Sequence, residues 1–213
     1  NTTGIGIAAD IAVRLMGDEV AWTSTDPVTG AYSISLPVGT YDVVFNPTFP
    51  YPLTIRNDID VFEATTTTLD VTMMAAQVLV VDDDGGDAFQ TYFEQAVLAA
   101  GRSYLTVTTP PTAADMAQFE SVVWLTGNDY TTTLTSADQA ELAAFLDGGG
   151  RLFISGQDIG YDIKGDAFYA NYLHATFVQD DVGLGAVIGD PASAVGQGFS
   201  FNIQGGDGAG NQA

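Results

Sequence analysis

The sequence predicts two domains of different class: a small β-sandwich domain over residues 1–75 and an α/β domain with a parallel doubly wound sheet over residues 77–213. In the first part, short runs that alternate apolar and polar residues, or are rich in β-branched and aromatic types, are separated by turn residues. From residue 77 onward, strand-like and helix-like runs alternate with short connections, which is typical of repeated βα units. A chain of 213 residues has room for both domains.

The strongest compositional feature is negative charge. Five Lys and Arg residues stand against 27 Asp and Glu residues, which gives a formal net charge of −22. Such a surface repels nucleic acid and anionic lipid, because binding to their phosphates needs cationic side chains. No apolar run approaches the ~20 residues of a membrane helix, so no membrane insertion is expected. The acidic excess suits a salty or calcium-rich exterior, and simple solubility explains it equally well.

The sequence contains no cysteine. Disulfides, thiolate metal sites and cysteine nucleophiles are therefore excluded. Threonine-rich segments at 65–68 and 131–133 fit the exposed strands and loops of extracellular proteins, so we expect an extracellular or cell-surface location. Asn1 opens a formal N-glycosylation sequon, Asn1-Thr2-Thr3.

Four runs in the first part are predicted β-strands: IAVRL (11–15), AYSISL (31–36), YDVVF (41–45) and LDVTM (69–73). Turn residues separate them, most clearly at 26–30 and 37–39. Because no helical period interrupts these runs, they predict a small antiparallel sandwich.

A turn-and-hairpin pattern within TSTDPVTGAYSISLPVGTYDVVF (23–45) carries a family resemblance. Its members are Thr25, Asp26, Gly30, Tyr32, Pro37, Gly39 and Tyr41. On these residues, most of residues 8–74 resembles the carboxypeptidase regulatory-like family, which has a transthyretin-like β-sandwich. The resemblance implies a non-catalytic spacer or adhesive module. The family's usual opening strand is missing or degenerate before Ile11, so the sequence predicts either an unpaired sheet edge there or an edge that residues 1–9 of the same chain cover.

The second part is predicted to contain four strands: QVLVVD (77–82), SYLTVTT (103–109), SVVWLT (121–126) and RLFIS (151–155). The first is a continuous apolar run, typical of a strand that is buried on both faces. A further strand, GFSFNI (198–203), lies in the glycine-rich end of the chain.

Helices are predicted between these strands. They span 88–100 with Asp87 as N-cap and Gly101 at the end, a short segment from Thr112 to Asp115, a longer one that starts with a capping box at Ser136 and ends at 148–150, and 166–174. The predicted buried stripe of the first helix consists of Phe89, Phe93, Ala96, Val97 and Ala100.

Acidic and amide side chains follow several of the predicted parallel strands. In a doubly wound sheet, ligands bind outside the carboxyl ends of the strands, near the reversal in strand order. The residues that this rule collects on one rim are Asp82, Asp83, Asp84, Asn128, Asp129 and Asp158. Hard oxygen ligands at this density predict a cation site, with Ca²⁺ as the expected metal. The alternative is that these residues cap helices and form Asx turns, since no run has a complete calcium-loop spacing.

The turn after the fourth strand, Gly156-Gln157-Asp158-Ile159-Gly160, has the form of a nucleophile elbow. With VLVVDDDGG and the run Gly148–Ser155, it makes residues 77–180 resemble class I glutamine amidotransferase-like domains of flavodoxin-like layout. The family's nucleophilic cysteine would be Asp158 here, and its His-x-Glu pair has no counterpart. His174, the only histidine, is expected to pack on an apolar helix. Amidotransfer is therefore excluded, and Asp158 remains a candidate nucleophile for a hydrolase.

Together these features predict a non-catalytic extracellular module with a structural or interaction role, as in a surface layer, fibre or adhesin. The alternatives are an accessory segment of a secreted subtilisin-like peptidase and a hydrolase that uses Asp158. Both chain ends look shortened relative to the two families, so we expect a fragment of a larger polypeptide or strands supplied by neighbouring subunits. The expected partners are proteins, including other copies of the chain, and repeated strand exchange would give a filament.

Overall fold

The computed structural model describes residues 4–180, 183, 185–194 and 196–203. Contacts divide the chain into two compact units. The first unit comprises residues 1–77 and 101–105, and the second comprises residues 78–100 and 106–213. Asn1, with its sequon, and the glycine-rich tail from 204 lie outside the described residues.

The first unit contains a four-stranded antiparallel sheet in the order β2-β1-β3-β4. Its strands are β1 (Ala9–Leu15), β2 (Asp18–Ser24), β3 (Gly39–Pro47) and β4 (Thr54–Val61). The predicted strands 11–15 and 41–45 are confirmed as parts of β1 and β3. Met16 and Gly17 join β1 to β2 with positive φ angles of 53° and 95°, as a two-residue hairpin turn requires.

The predicted strands at 31–36 and 69–73 are wrong, because neither segment takes part in a sheet ladder. Their side chains nevertheless alternate between exposed and more buried positions. The inward residues Tyr32, Leu69 and Val71 pack against the core of the sheet, and the Tyr32 hydroxyl donates to the Leu69 carbonyl at 2.6 Å. The alternation of apolar and polar residues in the sequence indicates which side of a segment is buried. It does not indicate whether the backbone of the segment forms hydrogen bonds with a neighbouring strand.

Residues of the family-like pattern are engaged in hydrogen bonds within the first unit. Asp26 Oδ1 accepts from the backbone amides of Val28 and Thr29 and from the Thr29 hydroxyl, which lowers the pKa of Asp26. The Thr25 hydroxyl accepts from Ala9 N at 2.8 Å. The buried Tyr41 donates its hydroxyl to the Pro37 carbonyl at 2.9 Å. These residues fix turns and hold segments together.

We expect Tyr41→Phe to lower the stability of the first unit by about 1 kcal/mol, because the Pro37 carbonyl loses its buried donor. The thermal midpoint of the first unit should fall by about 4–8 °C. Tyr51→Phe is the matched control, since Tyr51 packs beside the same core and no hydrogen bond of its hydroxyl occurs in the described part of the chain. Equal midpoints for the two variants would contradict the assigned role of the Tyr41 hydroxyl.

The second unit is built on a four-stranded sheet in the order β6-β5-β7-β8. Its strands are β5 (Val78–Asp82), β6 (Tyr104–Val107), β7 (Ser121–Gly127) and β8 (Leu152–Gly156). The pairs β5–β7 and β7–β8 are parallel. All four predicted strands are confirmed, and every residue of β5 is buried, as its apolar run predicts.

Five helices accompany this sheet in the described residues: α1 (Gln90–Ala99), α2 (Ala113–Met116), α3 (Ser136–Asp147), α4 (Ile159–Ile163) and α5 (Ala167–Asn171). The short helix predicted at Thr112 is confirmed as α2, and Thr112 and Asp115 form a capping box at its start. Gly101 follows α1 with a φ of 71°, as expected for a residue that ends a helix.

Several helix details differ from the sequence prediction. The N-cap of α3 is Thr135 and not Ser136, because the Thr135 hydroxyl accepts from Asp138 N, three residues on. The N-cap of α1 is Phe89 and not Asp87. No residue of α1 is fully buried, so the predicted buried stripe is wrong; Phe89, Phe93 and Val97 are half-buried and the two alanines are exposed.

The last described elements form an exposed two-stranded antiparallel ribbon, β9 (Ala186–Ile188) with β10 (Ser200–Asn202). The strand predicted at 198–203 is thus confirmed in its central residues. Across the described residues, no helix has both the length and the apolarity that crossing a membrane requires.

Candidate functional site

The reversal in strand order places a candidate site at the carboxyl ends of β5 and β7. The chain passes from β5 to β6 on one side and then returns to β7 on the other side of β5. Connections that leave two adjacent parallel strands in opposite directions open a crevice between them, which is where ligands bind in doubly wound sheets. In this protein β5 ends at Asp82 and β7 ends at Gly127, so the acidic segment 82–87 borders the crevice.

Asp82 and Asp84 form a buried pair of carboxyl groups. Only 8% of Asp82 and 4% of Asp84 are exposed, and their carboxyl groups lie within hydrogen-bonding range of each other. Gly86 N donates to Asp84 Oδ1 at 3.0 Å. Burial, the charge of Asp84 and the nearby Glu94 raise the pKa of Asp82 to about 6. Ionisation of both carboxyl groups in this pair is therefore energetically unfavourable.

Asp83 belongs to a different environment from its two neighbours. Its Oδ2 accepts from the indole nitrogen of the fully buried Trp124 at 3.1 Å. Burial raises the pKa of Asp83 to about 6; the Trp124 hydrogen bond opposes this shift, and the charges of Asp138 and Asp129 add to it. Because side chains alternate along an extended chain, successive aspartates are directed to opposite sides. Asp83 therefore has different contacts from Asp82 and Asp84, although its charge also acts on Asp82.

Asn128 and Asp129 lie in the turn that follows β7. Asn128 Nδ2 donates to Asp87 Oδ2 at 3.4 Å, and Asp129 N donates to the Thr126 carbonyl at 3.0 Å. Burial and the charges of Asp84 and Asp87 raise the pKa of Asp129. Asn128 thus takes part in the loop contacts that the capping alternative predicts, and Asp129 adds to the negative field around Asp84.

Asp158 occupies a sharp turn between β8 and α4. It is buried, with φ 59° and ψ 12° in the left-handed region, and its carbonyl accepts from Asp162 N to begin the helix. A Cβ atom at Gly156 would overlap the Thr126 hydroxyl, and one at Gly160 would lie 2.8 Å from the Tyr169 hydroxyl. The Gly-x-Asp-x-Gly spacing therefore has a steric cause, as in strand-to-helix elbows.

Within the described ranges, no group of three or more histidine, aspartate or glutamate side chains has an arrangement that could hold a metal ion. The six residues that the sequence collects on one rim are divided among the Asp82–Asp84 pair, the Asp83–Trp124 contact, the turn after β7 and the elbow. The Ca²⁺ prediction for all six together stays a prediction.

Sequence reasoning did not identify Gln90, Glu94 or Thr126 as residues of the crevice. The Gln90 amide oxygen and the Thr126 hydroxyl are buried without a hydrogen-bond partner, and Glu94 acts electrostatically on Asp82. Gln90 and Glu94 are four residues apart on α1 and so lie on the same helix face. The sequence signal that could have identified them is a pair of polar residues, four positions apart, in a helix that is expected to pack on a sheet.

His174 is not a packing residue, contrary to the sequence interpretation. The helix predicted to span 166–174 ends at Asn171, and His174 lies three residues beyond it with φ 52° and an exposed side chain. Tyr172 instead stacks on the buried Phe168. The apolar neighbours of His174 in the sequence thus belong to the helix end, while the imidazole lies in solvent.

No protein-family model, no curated protein and no solved structure matches the chain.

We expect the second unit, in the presence of chelator, to become more stable as pH falls from 7.5 to 4.5. The pKa values of Asp82 and Asp83 are about 6 in the folded chain and near 3.9 in an unfolded chain. Between these values the folded state binds more protons, so stability falls as pH rises through about 4 to 6 and is level above that window. Thermal unfolding should show the change as a few degrees in midpoint.

The general self-repulsion of an acidic chain produces a change in the same direction, so a matched variant is needed. Asp87→Asn removes an exposed carboxylate from the same segment, whereas Asp82→Asn removes a buried one. The midpoint of Asp82→Asn should depend less on pH than that of Asp87→Asn. Equal dependence in both variants would show that Asp82 has no raised pKa.

The elbow predicts a steric requirement for glycine at 156. We expect Gly156→Ala to cost about 1–3 kcal/mol of stability, because its Cβ would overlap the buried Thr126 side chain. Gly165→Ala is the control, since a Cβ at Gly165 meets no atom within 4 Å. Denaturant unfolding measures both variants, and a fully stable Gly156→Ala protein would exclude this packing of the elbow.

Proposed function

We propose that the chain is a non-catalytic extracellular module with a structural or interaction role, and that its two units are a carboxypeptidase regulatory-like β-sandwich and a flavodoxin-like domain related to class I amidotransferases. The strand order β6-β5-β7-β8 supports the second assignment, since flavodoxin-like sheets begin with the order 2-1-3-4. The alternating burial of residues 31–37 opposite the antiparallel sheet supports a two-layered first unit.

The observation that carries the non-catalytic proposal is the residue at the elbow. Asp158 stands where an amidotransferase-like domain would hold its nucleophile, and the sole histidine, His174, is exposed beyond α5. A carboxylate nucleophile needs an acid–base partner and donors for a developing oxyanion. An exposed histidine in solvent is a poor candidate for a preorganised base, which favours a scaffold role for this turn.

The test is a screen of esterase, amidase and dehalogenase substrates with the wild-type chain and Asp158→Asn. We expect no turnover above the uncatalysed rate for either protein. Turnover by the wild type that is lost in Asp158→Asn, with the fold retained by circular dichroism, would establish the hydrolase alternative instead.

The sheet of the first unit supports an interaction role, although not at the position that the sequence suggested. β1 contains Ile11 and is paired on both sides, with β2 and with β3, so no strand is missing beside it. The edges of this sheet are β2 and β4. On β2, Val20 and Trp22 are 50% and 75% exposed. An edge strand with exposed apolar side chains is a template for strand addition.

If copies of the chain associate through this edge, a charged side chain on β2 should prevent it. We expect wild-type protein to show concentration-dependent association by analytical ultracentrifugation, and Trp22→Lys to remain monomeric, because lysine on an edge strand opposes pairing. Val28→Lys is the control, because Val28 is also 75% exposed but lies outside the sheet.

Monomeric wild-type protein at all concentrations would remove self-association through β2 from the proposal. Association that Trp22→Lys and Val28→Lys weaken equally would indicate a general effect of charge and would exclude β2 as the contact.

A further inference from the structure

Four buried oxygen atoms have no hydrogen-bond partner in the described residues: Asp82 Oδ1, Asp84 Oδ2, Gln90 Oε1 and Thr126 Oγ1. Buried polar atoms in folded proteins are almost always paired, so each exception requires an explanation. Here the four atoms belong to residues at the end of β5, just beyond it, at the start of α1 and near the end of β7.

Three of these atoms belong to residues of β5, of the segment that follows it and of α1. Asp82 and Asp84 have carboxyl groups within hydrogen-bonding range of each other. Gln90 begins α1, and Glu94, one turn later on the same helix face, is close enough to act on Asp82. Thr126 is two residues after Trp124 in β7, so the two side chains lie on the same face of the sheet. Trp124 contacts Asp83, and Thr126 is therefore on the face opposite Asp82 and Asp84.

Among the described residues, no positively charged group acts on Asp82. The charged groups that act on Asp82 are Asp84, Glu94 and Asp83, all of them acidic. Two carboxylates in contact cannot both be ionised without a large electrostatic cost unless a cation or a shared proton lies between them. Since the pair is buried, solvent counterions screen it weakly.

We propose that a hard divalent cation binds between Asp82 and Asp84, with the Gln90 amide oxygen as a neutral ligand. All three contribute oxygen, the donor atom that calcium and magnesium prefer, and both ions commonly complete their coordination with backbone carbonyls and water. The site uses only part of the acidic rim: Asp83 is engaged with Trp124, and Asp158 forms the elbow. It is independent of whether the chain is a structural module or a hydrolase.

A shared proton is the competing way to satisfy the pair, and it makes a different prediction. A proton would leave the protein indifferent to divalent ions at pH 7.5, whereas a bound cation is released by chelator. A ligand that binds only the folded state raises the thermal midpoint according to its concentration relative to Kd.

The experiment compares the wild-type chain, Asp82→Asn, Asp84→Asn and Asp87→Asn at pH 7.5 in fixed monovalent salt. Each is unfolded thermally in EDTA, in millimolar calcium and in millimolar magnesium, and both ions are titrated by calorimetry. Midpoints in EDTA establish that each variant folds. We expect calcium or magnesium to raise the wild-type midpoint by about 5 °C or more and to bind with a stoichiometry near one.

The variants then locate the ion. Asp82→Asn and Asp84→Asn should lose most of the shift, because an amide in place of a carboxylate removes charge at the site. Asp87→Asn removes the same net charge from an exposed position and should retain the shift. The proposal is overturned if neither ion shifts the wild type, or if Asp87→Asn loses as much of the shift as Asp82→Asn does.

Discussion

The second unit depends on the parallel pairing of β5 with β7. Its register aligns Val78 with Ser121 and Asp82 with Leu125, and it encloses a strand whose every residue is buried. The register also determines to which side of the sheet each acidic side chain at the end of β5 is directed. A slip of one residue would exchange the two sides of β5, so that Asp82 would be directed to the Trp124 side and Asp83 to the α1 side. The hydrophobic core of this sheet therefore determines which carboxylates meet.

The strands of the α/β unit could be predicted from the sequence because a continuous apolar run between turn signals is typical of a strand that is buried on both faces. QVLVVD and SVVWLT became β5 and β7 at nearly the predicted bounds. The crevice could be located as well, since parallel strands expose their carboxyl ends on one edge. The grouping of residues within the crevice could not be predicted. Asp82, Asp83 and Asp84 are adjacent in sequence, but backbone alternation separates the middle residue from the other two.

In the first unit, the sequence signal was correct about burial and wrong about pairing. AYSISL alternates as a strand does, and Tyr32 is packed inward, but the segment forms no ladder. Cross-strand hydrogen bonding depends on which segment lies alongside, and a single sequence does not contain that information. The pattern from Thr25 to Tyr41 is explained by internal contacts: Asp26 closes a turn and the hydroxyls of Thr25 and Tyr41 tie segments together. Residues whose side chains form such internal hydrogen bonds stabilise the fold of the unit.

The path of the chain between the two units affects how the protein responds to cleavage. Residues 101–105 belong to the first unit, although they lie in sequence between α1 and the rest of β6. Gln77 N donates to the Ser103 carbonyl at 3.1 Å, and Ser103 N donates back to Gln77 Oε1 at 3.3 Å. A cut after Gln77 would therefore turn these hydrogen bonds from contacts within one chain into contacts between two fragments, because Gln77 and Ser103 would then belong to different polypeptides.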